Sequence, residues 1–216
     1  MSVTSFIDEL AAALRATACT TARGGRIGLD EGVERAFGVL RRAKEDDRAV
    51  LAVGNGGSQV IAQHVEMDLC NRAGMRARSF SSTPVLTALC NDHSHAEAYA
   101  LLVRSQGREH DVLIAVSSSG ASPNIVAAAK EARSIGMPIL TFSGFDGDNR
   151  LRRCGDLNFW VDSGSYSIVE LAHEALVHHL SDRCVELEER SAAAGEEPEI
   201  RVVAREPAAV GRNGHH

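Results

Sequence analysis

Hydrophobic residues recur at helical spacing in the first 45 residues of the chain. Residues 3–17 and 29–45 each carry apolar side chains three and four positions apart, and the pair Gly24-Gly25 separates the two stretches. Such spacing places the apolar side chains on one face of a helix. We therefore predict two amphipathic helices before the main body of the fold.

From residue 49 onward the pattern changes to short apolar runs, each of which ends in polar or glycine residues and precedes a longer helical stretch. We predict strands over 50–53, 77–80, 112–116, 139–142 and 157–161. We predict helices over about 58–71, 83–90, 95–105, 123–135 and 166–188. Runs rich in Val, Ile, Leu and Phe are typical of strands covered on both faces. The alternation predicts an α/β fold: a three-layer αβα sandwich with a five-stranded parallel sheet, plus the N-terminal helices.

Three regions follow from this pattern. We expect residues 1–46 to form N-terminal helices that serve oligomerisation, and residues 47–190 to form the α/β domain. Residues 191–216 contain few large apolar side chains, so we expect a flexible C-terminal tail. We interpret the terminal pair His215-His216 as part of that tail and not as a metal site.

The composition of the chain argues against a nucleic-acid-binding or membrane protein. The chain of 216 residues has a formal net charge of −6, which gives no basic surface for nucleic acid. Its apolar runs are far shorter than the roughly 20 residues that span a bilayer, and its N-terminus lacks the features of a signal peptide. We expect a soluble cytoplasmic protein with no nucleic-acid or membrane partner. The five cysteines are widely spaced and include no CxxC pair, which favours reduced thiols.

Two strands end in polar loops, and ligands bind at the carboxyl ends of strands in open parallel sheets. The first loop comprises Gly54, Asn55, Gly56, Gly57 and Ser58. Its glycines let a ligand approach the backbone at a helix N-terminus. It matches neither the dinucleotide fingerprint nor the P-loop, so a plain tight turn remains an alternative.

The second loop is rich in serine. Ser117, Ser118, Ser119 and Ser122 follow a predicted strand and open the next helix. Four hydroxyls at a helix N-terminus suit a phosphate dianion, although a serine N-cap alone would need only one of them. We predict a phosphate site here.

Two helices carry titratable side chains. His64 and Asp68 share a face of the helix after the first loop because they are four residues apart. The last helix carries Glu170, His173 and His178. Each set alone is more typical of surface or core residues than of a site, so the two gain weight only in combination with the loops.

In order and approximate spacing, these motifs together with Asn91-Asp92 resemble the sedoheptulose 7-phosphate isomerases (phosphoheptose isomerases) of the sugar isomerase (SIS) fold. The resemblance covers about residues 5–188. Family members commonly have Glu where this chain has Asp68, and many have Gln where it has Glu170.

The resemblance implies an aldose-ketose isomerase that converts sedoheptulose 7-phosphate to D-glycero-D-manno-heptose 7-phosphate through an enediol, in heptose biosynthesis. It assigns the phosphate to the serine loop and catalysis to Asp68 and His178. Sugar contacts fall on Asn55, Gly56, Gly57, Ser58, Asn91, Asp92 and Glu170. A zinc ion falls between His64, Asp68, Glu170 and His178, since two imidazoles and two carboxylates are suitable ligands.

A homotetramer is also expected from the resemblance. Glu170 and His178 are eight residues apart, hence about 12 Å along an unbroken helix, and cannot comfortably bind one ion. We therefore expect a neighbouring subunit to complete the site. Two alternatives stay open: a non-catalytic SIS protein that acts as a sugar phosphate sensor or a replication initiator-binding adaptor, and an SIS isomerase for another sugar phosphate.

Overall fold

The computed structural model describes residues 2–193 and shows seven strands among seven α-helices. The helices are α1 (Val3–Arg15), α2 (Leu29–Glu45), α3 (Gly57–Asn71), α4 (Thr83–Asp92), α5 (Ala98–Gln106), α6 (Pro123–Ile135) and α7 (Tyr166–Ala193). The strands are β1 (Ala18–Thr21), β2 (Arg26–Ile27), β3 (Val50–Val53), β4 (Ala77–Ser79), β5 (Val112–Ser117), β6 (Ile139–Ser143) and β7 (Leu157–Trp160), and a 3-10 helix spans Leu151–Arg153.

The five predicted strands form the parallel part of one sheet, whose strand order is β2-β1-β7-β6-β5-β3-β4. The whole sheet has two strands more than the five predicted, because β1 and β2 form a hairpin that extends it on its β7 side in antiparallel sense. A four-residue and a two-residue strand are too short to show a clear alternation of polar and apolar side chains. The first predicted helix accordingly ends at Arg15.

Helices cover both faces of the sheet, which confirms the three-layer α/β architecture. Alternate side chains of β3 point to opposite faces: Val50 and Ala52 join a core with α2, α3 and α7, whereas Leu51 and Val53 join a core with α5 and α6. Helix α1 has no fully buried residue, although Leu10, Ala13 and Leu14 pack partly against the body. Of the two N-terminal helices, α1 is thus less buried than α2.

The C-terminal helix is longer than predicted and continues to Ala193. The remainder of the predicted tail, residues 194–216 with His215 and His216, lies outside the described residues. Within residues 2–193, all five cysteines are free thiols, and none of the helices combines the length and apolar character needed to cross a membrane.

Candidate active site

The loop after β3 is held by two polar side chains, Gln59 of α3 and Tyr99 of α5. Gln59 accepts a hydrogen bond from the Gly54 amide through Oε1 at 3.1 Å. The hydroxyl of Tyr99 donates to the Gly54 carbonyl at 2.7 Å, and burial raises the pKa of Tyr99 to about 12, so the donor keeps its proton. Gly56, immediately before α3 begins at Gly57, has a positive φ of 52°. Glycine adopts this conformation readily because it has no Cβ. The loop therefore has a defined shape, as a ligand-binding loop requires.

The serine loop joins β5 to α6, as predicted. Ser117 and Ser118 are buried, and Gly120 turns the chain with a φ of 60°. Ser122 is the N-cap residue of α6, yet its side chain makes no capping hydrogen bond; it accepts instead from the Ser117 hydroxyl at 3.2 Å. A plain N-cap therefore does not explain this serine, whose hydroxyl is bonded to Ser117 instead.

An amide pair that sequence reasoning missed connects the two loops. Asn124, near the start of α6, donates to Asn55 Oδ1 at 2.8 Å and accepts from Asn55 Nδ2 at 2.9 Å. The imidazole of His95 also reaches this pair, with Nε2 at 3.3 Å from Asn124 Nδ2. Nothing in the local sequence pattern pointed to Asn124 or His95, because their partners lie tens of residues away.

Asn91 and Asp92, the predicted sugar contacts, are the last two residues of α4. Both side chains are exposed, and Asn91 Nδ2 donates to Asp92 Oδ1 at 2.9 Å. His95 lies three residues after Asp92, beyond the end of α4, and contacts the Asn55–Asn124 pair. The contact of His95 with Asn124 thus places the Asn91-Asp92 segment beside the predicted site.

A titratable cluster lies between α3 and α7. Among the described residues, His64, Glu174 and His178 form a group of three that could hold a metal ion, with ligand atoms all within 4.8 Å of one another. Glu174 Oε1 contacts His64 Nδ1 and lies 3.3 Å from His178 Nε2. The two imidazole rings meet edge to face with centroids 4.1 Å apart.

Asp68 is the partner of His178 on its other side. Its Oδ2 lies 3.4 Å from His178 Nδ1, and its side chain is only 4% exposed, compared with 37% for His178. Arg72 is 3.7 Å from the same carboxylate. A carboxylate at Nδ1 orients the ring so that Nε2 points to Glu174.

Glu170 does not join this cluster. Helix α7 is continuous, and Glu170 lies two turns before His178, where its Oε1 is 3.5 Å from the Ser118 hydroxyl. Its carboxylate also fills the space beside Gly57, where any larger side chain would collide with it. Glu170 thus lies between the two loops. Glu174, and not Glu170, lies beside His64 and His178, so the structure does not bring Glu170 to the predicted zinc position.

Glu174 was assigned no role from the sequence. The signal was present, because Glu174 precedes His178 by four residues and therefore shares its helix face. With Glu174, one chain brings three ligands together. The helix geometry no longer requires a neighbouring subunit to supply one.

His173 lies in the core and supports the structure around the site. It is completely buried, and its Nε2 is 3.1 Å from the Ser143 carbonyl, to which it donates. Burial lowers the pKa of His173 to about 4, so the ring is neutral at pH 7. The adjacent Gly144 amide donates to the Ser118 carbonyl at 2.9 Å. His173 therefore supports the end of β6, against which the serine loop is fixed.

The cluster fits a divalent metal such as zinc. Zinc takes imidazole nitrogen and carboxylate oxygen at about 2.0–2.2 Å, and catalytic sites use three protein ligands. Glu174 Oε2 is buried without a hydrogen-bond partner among the described residues, so this carboxylate is not fully satisfied by the protein. Two nitrogens, one carboxylate and Asp68 behind His178 form a plausible ligand set with an outer carboxylate.

Comparisons with known proteins agree with these features. The family model described as SIS domain matches residues 8–144. A phosphoheptose isomerase of Helicobacter pylori strain P12 is 34% identical over 164 residues, which cover 73% of this chain and 84% of the relative.

Two solved structures share the architecture. A phosphoheptose isomerase from Neisseria gonorrhoeae has a TM-score of 0.74 at 27% identity, covering 86% of this chain and 97% of that one. A phosphoheptose isomerase from Francisella tularensis has a TM-score of 0.74 at 25% identity, covering 86% of this chain and all of that one (100%).

Proposed function

This chain belongs to the SIS-domain family and, within it, to the phosphoheptose isomerases, and from that premise we propose that it interconverts sedoheptulose 7-phosphate and D-glycero-D-manno-heptose 7-phosphate. One observation carries the proposal. A serine loop suited to phosphate and a glycine-rich loop are joined through Asn55 and Asn124, and Glu170 links them to the helix that bears Glu174 and His178.

The serine loop would anchor the phosphate. Ser117, Ser118, Ser119 and Ser122 supply hydroxyl donors at the N-terminus of α6, where the helix dipole favours an anion. The glycine-rich loop, the Asn91-Asp92 segment and Glu170 would contact the sugar hydroxyls. Because the phosphate is far from the reacting carbons, its binding energy contributes orientation.

The reaction moves one proton between two carbons. A base takes a proton from C1 of the ketose while the C2 oxygen is protonated, which gives an enediol; reprotonation at C2 and loss of the O1 proton give the aldose. His178 is the exposed member of its pair and would exchange the proton through Nε2. Asp68, buried behind it, would orient the ring and balance its positive charge.

We propose that His64, Glu174 and His178 hold zinc when the metal is present. A bound zinc ion would act as a Lewis acid that polarises the sugar carbonyl. His178 Nε2 can carry a proton or bind a metal, but not both at once. Zinc content, and activity before and after chelation, therefore distinguish the two forms of the site.

We also propose a cytoplasmic homotetramer in which the N-terminal helices contribute to subunit contacts. Large apolar side chains are exposed on α1, at Val3 and Ile7, and on α3, at Val60 and Met67. Exposed apolar side chains that share a helix face support an interface between copies of the chain. The mass in solution, measured by light scattering during gel filtration, tests the tetramer, and an Ile7→Asp variant tests the surface of α1.

A coupled assay tests the activity. Purified protein would be offered sedoheptulose 7-phosphate, fructose 6-phosphate and ribulose 5-phosphate, and aldose formation would be followed for each. We expect turnover of the seven-carbon substrate. Turnover of only another sugar would identify a different SIS isomerase, while binding without turnover of any of them would favour a sugar phosphate sensor.

A further inference from the structure

Asn124 makes more polar contacts than its role between the two loops requires. Its side chain is buried, at 1% exposure, near the start of α6. The oxygen Oδ1 accepts from Asn55 Nδ2 at 2.9 Å and from the Ile125 amide at 3.0 Å. The nitrogen Nδ2 donates to Asn55 Oδ1 at 2.8 Å and also faces His95 Nε2 at 3.3 Å. Both ends of the amide are therefore fully used.

These contacts determine whether His95 donates or accepts in its hydrogen bond with Asn124. The Ile125 amide is a donor, so the atom of Asn124 beside it is the oxygen and the atom facing His95 is the NH₂ group. An NH₂ group only donates, hence His95 Nε2 must accept. In this arrangement Nε2 of His95 is the acceptor of the hydrogen bond from Asn124.

The segment that carries His95 is shallowly packed on its α4 side. It follows α4, a helix of ten residues none of which is fully buried. Leu86 and Leu89 of α4 pack only partly buried against the α5 and α6 core. The hydrogen bond from Asn124 is thus a specific polar tie between this segment and the substrate loops.

We propose that His95 is a positioning residue that holds the Asn91-Asp92 segment against the sugar site by accepting a hydrogen bond from Asn124. The proposal rests on the proposed function, because it needs Asn91 and Asp92 to contact the sugar. His95 acts through Asn124 and Asn55 and takes no part in proton transfer. Loss of its acceptor would release the segment and weaken substrate binding, while the reacting groups on α3 and α7 stay in place.

Three variants test this role. His95→Phe keeps a ring of similar size but removes the acceptor, and His95→Gln restores an acceptor oxygen near the position of Nε2. His93→Phe is the matched control, since His93 is an exposed histidine two residues earlier in the same segment. Two measurements apply to each: KM and kcat for the sugar phosphate, and amide hydrogen exchange of residues 83–97 without substrate.

We expect His95→Phe to raise KM about threefold to tenfold, the value of one hydrogen bond, with kcat within about twofold. Exchange over residues 83–97 should become faster in the same variant. His95→Gln should restore both values, and His93→Phe should leave them unchanged.

Unchanged KM and exchange in His95→Phe would overturn the proposal, and so would a His95→Gln variant that behaves like the phenylalanine variant. A fall in kcat without a rise in KM would also overturn it, because His95 would then act in the chemistry. If wild-type protein isomerises no sugar phosphate but exchange rises only in His95→Phe, the proposed function fails while the tie between His95 and Asn124 stands.

Discussion

Glu174 lies one helical turn before His178 on α7, and its Oε1 is 3.3 Å from Nε2 of that histidine. The same oxygen contacts His64 Nδ1 on α3. One carboxylate thus joins two imidazoles that are 114 positions apart in the sequence, since the numbers 64 and 178 differ by that amount. The arrangement makes Glu174 the acidic member of the proposed metal site.

We predict that Glu174→Gln lowers zinc affinity at least about tenfold, because even outer-shell partners of metal ligands contribute that much. The amide keeps the size of the side chain and removes its charge. Metal content after gentle purification and titration calorimetry with zinc provide the measurement. Glu186→Gln, which changes an exposed carboxylate on the same helix, is the control and should bind like wild type. Equal affinity in the Glu174 variant would exclude this residue as a ligand.

Replacing Ser119 and Ser122 together by Ala should raise KM for the sugar phosphate at least about tenfold, because hydrogen bonds to charged groups contribute about 1.5–3 kcal/mol each. Steady-state kinetics measures the effect, with Ser134→Ala as control, since that serine is exposed near the opposite end of α6 and donates to the Glu131 carbonyl. A double variant with unchanged KM would mean that phosphate binds elsewhere.

The sequence predicted most of the fold because its parallel strands are buried apolar runs of clear length. Helices α2 and α6 have the bounds that their periodicity indicated, and the five parallel strands lie where predicted. The β1–β2 hairpin was missed, since these short strands are stabilised by the pairing of β1 with β7. A contact with residues 157–160 cannot be seen in the local pattern of residues 18–21.

The resemblance placed His64, Asp68 and His178 in one site, and these three side chains meet between α3 and α7, but the part of Glu174 was missed. Helical spacing placed His64 with Asp68, and Glu170 with the last helix, yet it could not show which side chains of α3 and α7 meet. Packing of α3 against α7 brings Glu174 to His64 and leaves Glu170 at the serine loop. Asn124 and His95 depend in the same way on contacts between distant segments.

The free energy of unfolding should decrease as the pH is lowered, because His173 is buried as a neutral ring. Burial lowers its pKa from 6.5 in the unfolded chain to about 4 in the fold, so the unfolded state binds the proton more tightly. The contribution of the neutral ring is therefore complete above pH 6.5 and is lost as the pH falls toward 4. Over that interval we expect a loss of about 3 kcal/mol in the free energy of unfolding. Urea unfolding at several pH values measures it.

His173→Gln should remove this part of the pH dependence, whatever its effect on stability at neutral pH. His179→Gln is the control, because His179 is an exposed histidine on the same helix. If wild type and the His173 variant lose stability in parallel between pH 6.5 and 4, the buried ring is not the cause.

Asp68→Asn and His178→Gln should each lower kcat about 10²-fold, the lower range for a positioned acid or base. KM should change little, because the serine loop is untouched. Asp182→Asn is the control for Asp68, since Asp182 contacts the same Arg72 from the exposed side at 3.2 Å. Full activity in either variant would contradict the assigned pair.

Mixing the two inactive variants tests whether the pair belongs to one chain. Asp68 Oδ2 and His178 Nδ1 are 3.4 Å apart within this chain, and His64, Glu174 and His178 also come from one chain. A hybrid oligomer of Asp68→Asn and His178→Gln chains would then contain no intact pair, so we expect no recovery of activity. Subunit exchange is verified by native mass spectrometry. Mixing wild type with the double variant, which should retain activity in proportion to the wild-type chains, controls for damage during exchange. Recovery in the hybrids would instead show that Asp68 functions with a histidine of a neighbouring subunit. It would then support a site shared between subunits, as expected from the spacing of Glu170 and His178.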